Sequence, residues 1–139
     1  MATKRVLVVD DHAETRTLIR SLLENARSDT FQVVEAGTGT DGLKMADQGG
    51  PFDLILLDVS LPDMDGYAVC RAIRSADARV PIVFVTGNGD LKDYAAGREA
   101  GGDSYLVKPI GRSALRAIVN LFTNVQRGGV SAKGGASSL

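Results

Sequence analysis

Short apolar runs in this chain end on polar residues of complementary chemistry. Residues 6–9, Val-Leu-Val-Val, run into Asp10 and Asp11, and residues 54–57, Leu-Ile-Leu-Leu, run into Asp58. Residues 82–85, Ile-Val-Phe-Val, deliver Thr86, and residues 105–107, Tyr-Leu-Val, lead to Lys108 and Pro109. Carboxylates are hard oxygen ligands, and Mg2+ takes one or two of them together with waters and phosphate oxygens. Three carboxylates packed together repel one another unless a small divalent cation lies between them. A carboxylate ending a buried strand can also act as a nucleophile and form an aspartyl phosphate. That reaction needs its transferred oxygens neutralised by metal and by cationic or hydroxyl donors, which Lys108 and Thr86 could supply. Taken singly, each residue has a plainer role. Asp10 and Asp11 would be a polar strand end, Thr86 a β-branched strand residue, Lys108 a solvated charge. Their shared position after apolar runs points instead to a metal-and-phosphate site.

These groups meet only if the runs are parallel strands, because ligands in open α/β sheets bind outside the carboxyl edge. Strand and helix patterns alternate five times. Strands are expected at 5–9, 31–36, 52–58, 80–86 and 104–107. Helices are expected at about 14–26, at about 40–48, from Asp65-Gly66 onward, at 91–100 and at about 112–126. Leu18, Ile19, Leu22, Leu23 and Ala26 fall on one face of the first helix, and Val69, Cys70 and Ile73 on the inner face of the third. The last helix should bury Leu115, Ile118, Val119, Phe122 and Val125. Gly49-Gly50-Pro51 breaks the chain, Gly87-Asn88-Gly89 reads as a flexible turn, and Gly101-Gly102 suits a left-handed C-cap. Pro109 marks a constrained turn, for which a cis bond is one option. The alternation describes an α/β fold, a doubly wound parallel sheet with right-handed crossovers, over residues 4–127. Residues 128–139 are rich in Gly and Ser without an apolar pattern, and are expected to be a disordered tail or linker.

A length of 139 residues fits one domain with a real core. The formal net charge of -1 leaves no basic surface for non-specific nucleic-acid binding. No apolar run reaches membrane-spanning length, and the first residues do not resemble a signal peptide. The single cysteine, Cys70, cannot form an internal disulfide, which suits a reducing cytoplasm, and its helical position suggests packing. One histidine excludes a His-rich metal site.

Over residues 4–126 the chain resembles a response-regulator receiver domain of two-component signalling, of the CheY-like superfamily. The matching pieces are Val-Leu-Val-Val-Asp-Asp at 6–11, Asp-Leu-Ile-Leu-Leu-Asp at 53–58, Leu-Pro-Asp-Met-Asp-Gly at 61–66, Val-Phe-Val-Thr-Gly at 83–87 and Tyr-Leu-Val-Lys-Pro at 105–109. The resemblance implies a flavodoxin-like (βα)5 fold with five strands in the order 2-1-3-4-5. It implies that Asp58 is the phosphoacceptor, and that Asp10 and Asp11 hold Mg2+ directly or through water. The backbone carbonyl of Ser60 would be a further ligand. Thr86 and Lys108 would bind the phosphoryl group. Tyr105, on its own merits a half-buried strand aromatic, would be the partner of Thr86 in a switch, rotating inward from an exposed position.

The implied donor is a histidine kinase or a histidine phosphotransfer protein. The implied output is a changed face, made by the helix over 91–100, the fifth strand and the last helix, that binds a protein partner. Such a domain is not a turnover enzyme and catalyses only its own phosphorylation and dephosphorylation. Two features depart from the pattern. Arg27-Ser28-Asp29-Thr30 lengthens the first helix-to-strand connection, and Ala114 stands where dimerising gene regulators commonly carry an acidic residue. With no DNA-binding domain after residue 127, direct DNA binding is not expected. A receiver excised from a hybrid histidine kinase or a longer regulator is the alternative.

Other classes fit less well. In a flavodoxin-like carrier the three aspartates would repel a flavin phosphate, and the first loop lacks a phosphate cradle. A metal-dependent phosphatase would need a substrate-binding cap, for which no segment is present. A receiver used only for docking would not need the full set of acidic and phosphate-binding residues.

Overall fold

The computed structural model describes residues 3–26, 29–87 and 91–127. Five strands alternate with five helices: β1 (Thr3–Val9), α1 (Ala13–Glu24), β2 (Thr30–Ala36), α2 (Gly39–Gln48), β3 (Leu54–Asp58), α3 (Gly66–Ala76), β4 (Ile82–Thr86), α4 (Leu91–Ala100), β5 (Ser104–Val107) and α5 (Arg112–Arg127). Every residue of β3 and β4 is buried, so helices must cover both faces of the sheet they occupy. The sheet is parallel throughout, with the order β2-β1-β3-β4-β5, a flavodoxin-like α/β architecture.

Alternate residues of each strand serve opposite layers. Val6, Val8, Leu54, Leu56, Val83 and Val85 pack with Ile19 and Leu23 of α1 and Leu115 and Val119 of α5. Leu7, Val9, Ile55, Leu57, Ile82 and Phe84 pack with Val69, Cys70 and Ile73 of α3 and Ala100 of α4. Cys70 is a packing residue. Its thiol donates to the Ala100 carbonyl at 3.3 Å, and burial pushes its pKa up to about 11.

Several expected boundaries shift. β3 and β4 each begin two residues later than the apolar runs. Asp53 is held by the Arg5 backbone in both directions, at 2.8 Å each way, and Pro81 has no N–H to enter the ladder. α1 ends at Glu24, short of the expected residue 26, and its buried stripe is narrower than predicted. Leu18, at the margin of that stripe, is 42% exposed. Gly101 (φ 101°) and Gly102 close α4 as expected, donating to the carbonyls of Arg98 and Gly97. The Lys108–Pro109 bond is cis, as is Gly50–Pro51. The expectations for Arg27, Ser28, Asn88, Gly89, the Val125 side chain and residues 128–139 lie outside what the structure describes.

Register places the polar strand ends together. Val9 stands opposite Leu57, Asp58 opposite Val85, and Thr86 opposite Val107. The residues that follow β1, end β3 and β4, and follow β5 therefore share one edge.

Candidate functional site

Asp10 follows β1 directly, and its backbone N–H extends the ladder by donating to the Ala36 carbonyl at 3.0 Å. Its side chain is buried, whereas the neighbouring Asp11 is exposed. Asp58 closes β3 with its carboxylate buried. The Ser60 N–H donates to Asp58 Oδ1 at 2.9 Å, and Lys108 Nζ donates to Asp58 Oδ2 at 3.2 Å. The chain can turn sharply after Asp58 because residue 66 is glycine: a Cβ there would overlap the Asp58 carbonyl oxygen. Lys108 is aimed from the opposite side. Its N–H donates to the Thr86 carbonyl at 2.7 Å, and its ammonium stands 3.1 Å from Asp10 Oδ2. One lysine thus bridges two aspartates from different strands. Thr86 is buried at the end of β4, and Ser60 is exposed beside Asp58.

The charges act on one another. Burial is the main reason the Asp58 carboxyl is pushed above its usual range, and the Asp10 charge adds to it. The Ser60 N–H and Lys108 oppose that rise without cancelling it. Burial alone would lower the Lys108 ammonium, but Asp10 and Asp58 together raise it.

Carboxylate oxygens of Asp10, Asp11 and Asp58 and a ring nitrogen of His12 lie within 4.8 Å of one another. Three carboxylates against one lysine leave two formal negative charges, the complement of a divalent ion. Among the described residues buried Asp10 Oδ2 accepts no hydrogen bond, its contact with Lys108 being an ion pair outside hydrogen-bond geometry. A hard oxygen set with an orphaned acceptor fits Mg2+.

Sequence reasoning missed His12. Its Nδ1 lies 3.2 Å from Asp10 Oδ1 and 3.3 Å from Asp11 Oδ1. The available signal was adjacency to the aspartate pair, at a position where a helix N-cap belongs. Asp63 belongs to the Leu-Pro-Asp-Met-Asp-Gly stretch at 61–66. Its carboxylate accepts from the N–H groups of Gly39 and Thr40 and from the Thr40 hydroxyl, capping α2 from a distance. The Thr40 hydroxyl, then the two N–H groups, hold its pKa down at about 2.

Tyr105 departs from its expected starting position. It is half-buried and already inward, its ring centroid 5.4 Å from that of Phe84 and 4.5 Å from that of Tyr94. Its hydroxyl donates to the Asp93 carbonyl and sits 3.2 Å from the Tyr67 hydroxyl. All three tyrosines of the chain join this cluster. Burial, then the bond to Tyr67, raises the Tyr105 hydroxyl's pKa well above the phenol range. A cleft of about 420 Å³, lined by Ser60, Thr86, Gly87 and Tyr67 among others, opens between the acidic site and this cluster.

Fold and site together define a flavodoxin-like α/β domain with an acidic pocket at its carboxyl edge. The profile of the response regulator receiver domain matches residues 6–120, and the chain belongs to that family. It is 38% identical over 119 residues to the transcriptional regulatory protein PrrA of Mycobacterium tuberculosis, covering 86% of this chain and 49% of that protein. Identity to the DNA-binding response regulator MtrA of Mycobacterium leprae is 40% over 116 residues, covering 84% and 49%. The chain therefore spans about half the length of these curated relatives. Among solved structures, the receiver domain protein (CheY-like) of Methanospirillum hungatei superposes with a TM-score of 0.81 at 26% identity, covering 91% of this chain and 98% of that one. The receiver domain of sensor histidine kinase PA1611 of Pseudomonas aeruginosa was solved with a magnesium ion coordinated in its active-site cleft. It gives a TM-score of 0.79 at 30% identity, over 88% and 99% of the two chains. Receiver domains are signalling phosphoacceptors, supplied by histidine kinases, rather than turnover enzymes. Among the described residues no helix is long and apolar enough to cross a membrane.

Proposed function

We propose that Asp58 accepts a phosphoryl group from a phosphohistidine of a histidine kinase or histidine phosphotransfer protein, in a reaction that depends on Mg2+. The observation that carries this reading is the Asp58 carboxylate itself: buried, ending the central strand, and held between the Ser60 N–H and the Lys108 ammonium. A carboxylate oxygen attacks phosphorus, the N–P bond of the donor breaks, and the bonding pair returns to the donor's imidazole. Asp10, Asp11, Asp58 and the Ser60 carbonyl would hold Mg2+, which when bound neutralises charge on the phosphoryl oxygens. Lys108 exchanges carboxylate contacts for a phosphoryl oxygen, and the Thr86 hydroxyl donates to another. Incubation with a small phosphodonor and Mg2+ should add one phosphoryl mass that is lost at alkaline pH. Uptake by Asp58→Asn under the same conditions would show the assignment to be wrong.

The response leaves through α4, β5 and α5, the face for an unidentified protein partner. Since Tyr105 already lies inward, the phosphoryl group acts on how firmly that arrangement is held, as a population shift transmitted through Thr86. Thr86→Ala should still be phosphorylated, while hydrogen exchange over residues 91–116 responds much less to a phosphoryl mimic. A full-sized response would sink the threonine–tyrosine coupling alone.

Residues 4–127 form the phosphoaccepting unit, and 128–139 act as a tail or linker. We place the exchange in the cytoplasm, where the lone Cys70 thiol stays reduced. A second reading, a receiver cut from a hybrid kinase or a longer regulator, draws support from relatives about twice as long. Reading the coding sequence on either side of these residues distinguishes the two.

A further inference from the structure

His12 is the one histidine of the chain, and the phosphotransfer reading does not use it. It occupies the N-cap position of α1, where Ser, Thr, Asp or Asn would bond the first free N–H groups. Its side chain makes no capping bond. The ring turns back over the strand end instead, bringing Nδ1 to 3.2 Å from Asp10 Oδ1 and 3.3 Å from Asp11 Oδ1. Lys108 Nζ is 3.5 Å away. Donor atoms at neighbouring positions around one ion, each about 2.1 Å from it, stand about 3.0–3.4 Å apart. Both His12 spacings fall in that range. Independently, the Asp10 side chain is only 2% exposed, and among the described residues its Oδ2 accepts no hydrogen bond. Lys108, a member of the same cluster, stands 3.1 Å from it.

We propose that His12 is a nitrogen ligand of this site, which therefore takes a late first-row divalent ion, Zn2+, Co2+ or Ni2+, as well as Mg2+. The inference rests on Asp10, Asp11 and Asp58 being metal ligands, as in the proposed function. Mg2+ prefers oxygen donors and keeps several waters, so it has no use for the ring. Imidazole suits the later ions, whose affinity for a nitrogen donor exceeds that of Mg2+. The two kinds of ion share the carboxylates and differ at His12. A late ion held there competes with Mg2+ for the phosphoacceptor pocket, which makes phosphorylation sensitive to the balance between them.

A tag-free full chain allows a direct test, because a single histidine gives a single imidazole signal. Metal titrations would be followed by 15N NMR of the ring and by calorimetry, with Zn2+, Ni2+ and Mg2+ in turn. Zn2+ should move the His12 Nδ1 resonance strongly, and Mg2+ should leave it nearly unchanged. His12→Asn should weaken Zn2+ and Ni2+ binding by about tenfold or more while changing Mg2+ affinity by less than about twofold. His12→Phe, which keeps a ring without a donor, should behave the same way. A ring nitrogen unmoved at saturating Zn2+ would mean a charge pair only and would overturn the inference. Equal losses for Zn2+ and Mg2+ in both variants would overturn it too. If Zn2+ moves the ring but Mg2+ does not bind the parent at all, the nitrogen ligand stands and the Mg2+-dependent reading fails.

Discussion

Tyr105 lies inward because residue 97 has no side chain. A Cβ at Gly97 would overlap the Tyr105 hydroxyl, which instead reaches the Asp93 carbonyl and the Tyr67 hydroxyl across the bare surface of α4. A helical glycine costs about 1 kcal/mol relative to alanine, so this notch is kept against local propensity.

Gly97→Ala should therefore expel the ring. The helix gains about 1 kcal/mol of intrinsic preference, offset by loss of the Phe84 and Tyr94 ring contacts. The Tyr105 hydroxyl should titrate closer to an ordinary phenol in the variant, read by ultraviolet absorbance against pH. Phosphoryl uptake at Asp58 should be unchanged. An unshifted titration would mean that α4 itself moves to accommodate the methyl group.

Asp58→Asn should make the metal-free protein more stable at neutral pH. The Asp58 carboxyl is raised, mainly by burial, so its ionised form is disfavoured in the folded state. The sign follows from linkage: a carboxyl raised on folding subtracts stability as pH rises past its unfolded value. Thermal melts of parent and variant without metal should diverge from acid toward neutral pH, the variant melting higher. The variant should also lose most of the Mg2+-dependent rise in melting temperature.

Lys108→Met should act in the opposite direction. It leaves Asp10 and Asp58 facing each other without the ammonium between them, at a cost of about 1–3 kcal/mol when metal is absent. Denaturant titrations should show this deficit shrinking when Mg2+ is added. A deficit independent of Mg2+ would mean that ion and lysine do not neutralise the same charges.

Asp63 gives a window at acid pH. Its pKa is depressed to about 2 by the bonds from Thr40 and Gly39, so its stabilisation is complete above the usual carboxylate value of about 4. It is lost as pH falls from there toward about 2. Asp63→Asn should remove that part of the acid dependence of the melting temperature, and hydrogen exchange should show the first turn of α2 fraying. Identical acid profiles in parent and variant would count against the distant cap.

Where the strands lie and what stands at their ends are legible in the residues alone. Alternation of apolar runs with 3.6-residue patterns is a local property, as is a polar residue directly after a run, so Asp10, Asp11, Asp58, Thr86 and Lys108 were visible as candidates. Val69, Cys70 and Ile73 were legible for the same reason. Strand order came through the family resemblance, since periodicity carries no information about neighbours. Contacts between distant elements depend on how the layers pack. Lys108 bridges residues 50 and 98 positions away, Asp63 caps a helix that begins 24 residues earlier, and Tyr105 rests on a glycine of the preceding helix. The inward ring of Tyr105 depends on the missing side chain at Gly97, and the turn of His12 depends on carboxylates that β1 delivers beside it. Residue type and spacing set which groups can meet; packing sets which of them do.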